Sequence, residues 1–70
     1  MHVVIFNDNE TPIYWGTKLE CNTYLIMKAR TIASTDQKQY EQYIHDITED
    51  GELNTVNPKR NFKIKEIDGN

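Results

Sequence analysis

The chain has 70 residues, a formal net charge of −3 and 37% hydrophobic residues. That length excludes more than one domain and allows only a small core. The modest net charge excludes wholesale disorder, and no apolar run approaches the ~20 residues of a membrane span. The lone Cys21 cannot form an internal disulfide. With no signal peptide at the amino end, it points to a reducing, cytosolic setting. So small a core favours partnering, with itself or with another protein. Ile, Asn and Lys are abundant, a composition of low-GC bacterial or phage type.

His2 to Phe6 is a run of β-branched and aromatic residues, which predicts a central strand covered on both faces. Asn7 to Glu10 predicts a turn, because Asn and Asp bond to their own backbone. Thr11 to Trp15 resumes β character, with Pro12 confined to a strand start or an edge. Tyr14 and Trp15 are adjacent on that strand and so point to opposite faces. Trp15 is assigned to the core, and Tyr14 to the exposed side as a candidate contact anchor.

Gly16 breaks the strand, and Thr17 with Glu20 forms a capping box. The helix predicted from Lys18 to about Ile32 places Cys21, Leu25, Ala29 and Ile32 on one face. A second helix is the clearest element in the chain. Tyr40, Tyr43, Ile44 and Ile47 recur at i, i+3, i+4 and i+7. Ser34 and Gln37 fit a capping box at its start, and Gly51 fits a left-handed stop at its end. A single bent helix is the rival reading.

Beyond Gly51, Leu53, Thr55 and Val56 predict a weak strand, and residues 57–61 a turn. Phe62 to Ile67 alternates, with Phe62 and Ile64 inward and Lys63 and Lys65 outward. The order β-β-α-α-β-β predicts a single α+β domain over residues 1–70. Its antiparallel sheet of three to four strands carries two helices on one face. The predicted core is Val3, Ile5, Ile13, Trp15, Leu25, Ala29, Ile32, Tyr40, Ile44, Ile47, Phe62 and Ile64.

Enzymatic constellations are sparse. The three glycines are scattered and cannot cradle a phosphate in series. A Cys21/His45 nucleophile pair conflicts with Cys21 lying on an apolar helix face. Asp46 to Gly51 resembles the start of a calcium loop, but Asn57 replaces the bidentate carboxylate at the twelfth place. No catalysis, cofactor or metal is expected.

Charge is segregated. From Asp36 to Glu52 six acids oppose Lys38 alone. From Leu53 onward Lys59, Arg60, Lys63 and Lys65 outnumber Glu66 and Asp68. The leading expectation is a non-catalytic cytosolic module that binds a protein or itself, through Tyr14, Glu49, Asp50 and Glu52. The alternative is a nucleic-acid-binding module using the basic hairpin residues Lys59, Arg60, Lys63 and Lys65.

Overall fold

Strand β1 (His2–Phe6) lies inside the sheet, as its unbroken apolar run requires. The computed structural model describes residues 2–55 and 60–67. It contains β2 (Pro12–Gly16), α1 (Lys18–Ala33), α2 (Gln37–Asp50), β3 (Glu52–Asn54) and β4 (Asn61–Ile67). The four strands form one antiparallel sheet in the order β2-β1-β4-β3. Both helices cover the same face. α1 packs on β1 and β2, α2 packs on β3, and the helices touch each other.

Alternation along β1 divides the chemistry. Val3 and Ile5 point to the helices and join Leu25, Ala29, Tyr43, Ile47, Leu53 and Phe62 in the core. Val4 and Phe6 point the other way. Across the sheet, Trp15, Val4 and Lys65 form one row, and Phe6, Lys63 and Glu52 form the next. Neither α1 nor α2 covers this face, yet Val4 is fully buried beneath its neighbours there. The sequence expectation of burial on both sides of β1 therefore holds at Val4 for a different reason.

Trp15 is not a core residue: it is 59% exposed. The register explains why. Tyr14 pairs with Ile5, whereas Phe6 pairs with Pro12, so β2 carries one extra residue, Ile13. Such a bulge breaks simple alternation. Ile13 and Tyr14 both pack against the core, and Trp15 is left on the open face. The expected sides of Tyr14 and Trp15 are thus reversed. Ile32, Tyr40, Ile44 and Ile64 are half-buried, while Cys21, Ala33, Tyr43 and Leu53 complete the core.

Helix α1 begins at the expected capping box. The Thr17 hydroxyl accepts from the Glu20 amide at 3.1 Å, and Glu20 Oε1 accepts from the Thr17 amide at 2.9 Å. The Thr17 amide, and after it the Thr17 hydroxyl, holds the Glu20 carboxyl below its ordinary value of 4.5. A lowered folded-state value gives stability that is present above the ordinary value and lost as pH falls through the lowered one. Glu20→Gln is therefore expected to lower the urea midpoint at pH 7, with the gap to wild type closing as the pH falls below that ordinary value and through the lowered one.

The second capping box is not the one expected. Ser34 ends α1, donating its amide to the Arg30 carbonyl at 3.1 Å. Asp36 caps α2 instead, accepting from the Gln39 amide at 3.0 Å. Two helices joined by a sharp corner therefore replace the single bent helix. Ser34 turns that corner at φ 54°, ψ −115°, a region that disfavours any side chain. Ser34→Gly is expected to stabilise the fold by about 1 kcal/mol, read as a higher melting temperature. Gly51 ends α2 in the left-handed region, as predicted. β3 starts at Glu52, and its hairpin closes on Thr55, which exchanges backbone and hydroxyl hydrogen bonds with Arg60. Val56 and the turn at residues 57–59 fall outside the described residues.

Candidate interaction surface

Tyr14 faces the helices because it pairs with Ile5. There its ring stacks on Tyr24 of α1, with centroids 4.5 Å apart. Stacking of this kind adds to the burial of both rings. The pair forms the floor of a surface that runs along α1. Leu19, Thr23 and Met27 stand at i, i+4 and i+8 on the outer side of that helix. Leu19 is 75% exposed and Met27 66%. One groove of about 290 Å³ lies between Tyr14, Leu19, Glu20, Thr23, Tyr24 and Met27. A second, of about 360 Å³, continues it past Met27, Thr31 and Ile32 to Lys28 and Arg60. Lys28 also lies over the Tyr24 ring at 5.6 Å. The result is a largely apolar trough with Glu20 in the wall of its first half and two cations in its second.

The other predicted contacts are distributed differently. Glu49 and Asp50 line a separate cleft of about 290 Å³ with Lys18 and Glu66, at the end of α2. Glu52 stands apart from them on the open sheet face, 4.0 Å from Lys63. Tyr14 and the acidic trio therefore do not form one site. The basic set also divides. Lys63 and Lys65 share the open face, Arg60 borders the α1 trough, and Lys59 lies outside the described residues. On the open face Lys65 Nζ sits 5.0 Å from the centre of the Phe6 ring.

Among the described residues, the candidate nucleophile Cys21 shares no hydrogen bond with a base. Cys21 is fully buried, and its thiol points to the Val3 carbonyl oxygen at 3.6 Å. Burial, reinforced by the Glu20 charge, pushes that thiol above its ordinary value, so it stays protonated and unreactive near neutral pH. His45 is exposed on α2. The segment resembling a calcium loop is helical through Asp50, so its carboxylates project from a helix and cannot wrap around an ion. Among the described residues no group of three His, Cys, Asp or Glu side chains could hold a metal. No helix among them is long and apolar enough to cross a membrane.

The exposure of Leu19 and Met27 was missed at the sequence level, although a signal existed. The segment Tyr24 to Met27 is apolar nearly all round the helix, which reads as burial on more than one side, yet Met27 stays exposed. Comparisons with protein-family models, curated proteins and solved structures find no match to this chain.

Proposed function

We propose that this chain is a small, non-catalytic protein-interaction module of bacterial or phage type, acting in the cytosol. The single observation that supports it most is the α1 trough. Two large apolar side chains stand exposed above a floor of stacked tyrosines, and apolar patches of this kind mark contact sites. Met and Tyr suit such a role, since Met adapts its shape and Tyr offers area at low entropic cost. Lys28 and Arg60 at one end favour a partner whose apolar residues are bordered by acids. The cytosolic setting rests on the unpaired Cys21, and the absence of catalysis on the burial of its thiol.

The test is capture from bacterial lysate with tagged protein, with and without nuclease, using wild type and a Leu19→Glu/Met27→Glu double variant. Both residues are exposed, so the variant keeps its fold. A protein that survives nuclease and is retained at least about tenfold less by the variant supports the reading. Equal retention by both would remove the trough from it. Light scattering on the purified chain identifies the case in which the partner is a second copy.

A further inference from the structure

The partner that Lys28 and Arg60 favour, apolar and bordered by acid, is present on the chain itself. Leu19 stands exposed beside Glu20 in the first half of the α1 trough. Lys28 and Arg60 line the second half, with Ile32. We infer that the trough binds a second copy of this chain, with the two α1 helices antiparallel across a two-fold axis. This deepens the protein-binding reading of the trough and depends on it.

The two grooves of the trough share Tyr24 and Met27, which flank the middle of α1 (Lys18–Ala33). A two-fold axis through that middle lays the first half of each trough on the second half of the other. Glu20 of one copy then approaches Lys28 and Arg60 of the other, and the same pairing recurs across the axis. The capping box uses only Oε1 of Glu20, so Oε2 can accept from a cation. Leu19 approaches Ile32 of the other copy. Met27 approaches Tyr24, whose ring already stacks on Tyr14, and a thioether against an aromatic ring is a favourable contact. A parallel pairing would instead set Glu20 against Glu20 and Lys28 against Lys28. A surface whose halves complement each other is what an isologous interface requires.

The spacing agrees. Glu20, Tyr24, Met27 and Thr31 recur at i, i+4, i+7 and i+11, the pattern of a seam between two helices packed side by side. The neighbouring strand β2 is an edge of the sheet, but Pro12 lacks an amide donor and Ile13 is the bulged residue. Both features blunt an edge, so the copies meet through helices and not through a continuous sheet. Helix α1 has 16 residues and is about 24 Å long. A seam of that length buries roughly 400–500 Å² of each copy, at the small end for a specific interface.

Sedimentation equilibrium of the full chain from about 1 μM to 1 mM spans the dissociation constant expected of so small an interface, on the order of 10–100 μM. The mass should rise from 8.3 kDa to twice that value. Met27→Asp leaves the cap and the core untouched and should stay monomeric. Lys28→Glu should weaken association about tenfold or more, because a two-fold dimer carries each change twice. Glu20→Lys should do the same, with circular dichroism confirming that α1 survives loss of the capping box. Mixed in equal amounts, these two charge variants should associate again. One chain then presents only acids at the two positions and the other only lysines. A monomer at every concentration would overturn the inference. If lysate capture still depended on Leu19 and Met27, the trough would remain a site for a different protein. A dimer indifferent to Met27→Asp, or a mixture that associates no better than either charge variant alone, would overturn it equally.

Discussion

Leu25→Ala is expected to cost about 3 kcal/mol, within the range for emptying a leucine site in a packed core. Leu25 is fully buried on the α1 face that meets the sheet. A domain of this size has a total stability on the order of 4–10 kcal/mol, so the loss is a large share of it. The melting temperature should fall by roughly 12–24 °C, followed by circular dichroism. Leu19→Ala removes the same atoms from the same helix, but from a side chain that is 75% exposed. Its expected cost is within about 0.5 kcal/mol of zero. The contrast isolates burial from helix propensity. Equal costs at both positions would mean that α1 docks by another face.

Gly51→Ala is the second large effect, about 1–2 kcal/mol, and its cause is purely conformational. Gly51 holds φ 66° and donates its amide to the Ile47 carbonyl at 3.0 Å. A Cβ placed there would meet Ile64 Cβ at 3.7 Å, which is ordinary contact. Space is therefore available, and the left-handed backbone alone resists the side chain. Gly51→Asn should cost less, since Asn tolerates that region. A urea titration checks both variants, with a lower midpoint and an unchanged slope expected. The position matters because the Gly51 carbonyl also accepts the Ile64 amide at 2.8 Å, tying the end of α2 to β4.

Much of this architecture was legible in the residues. The element order, the central place of β1, the Thr17–Glu20 box and the Gly51 stop all follow from local chemistry that nothing distant contradicts. The errors arose where a local pattern allowed two outcomes. Ser34, Thr35 and Asp36 offer three consecutive capping side chains, and the pattern with Gln37 favoured the first. The corner between the helices uses Ser34 to end α1, which leaves Asp36 as the cap. Alternation stated that Tyr14 and Trp15 face opposite ways, but not which of them meets the helices. That choice depends on the extra residue Ile13, a property of pairing with β1 that β2 alone does not encode. The same gap hid the candidate sites. Lys63 and Lys65 were placed outward correctly, yet their company with Trp15 and Phe6 depends on strand order. The trough along α1 appears only once β2 places Tyr14 against Tyr24.

The pairing of β1 with β4 also governs when the molecule can form. His2 lies opposite Ile67, so the two middle strands come from the earliest and latest described parts of the chain. Closing a loop of about sixty residues costs roughly 3.6 kcal/mol plus a constant, before any contact between those strands offsets it. On a ribosome, β1 and β2 can meet as a hairpin and the helices can begin to form while synthesis continues. The core cannot close until β4 has emerged, because β4 alone joins β3 to the rest of the sheet. Closure of the sheet thus waits for β4, and until then the nascent chain exposes the β4-facing edge of β1 to chaperones and neighbouring chains.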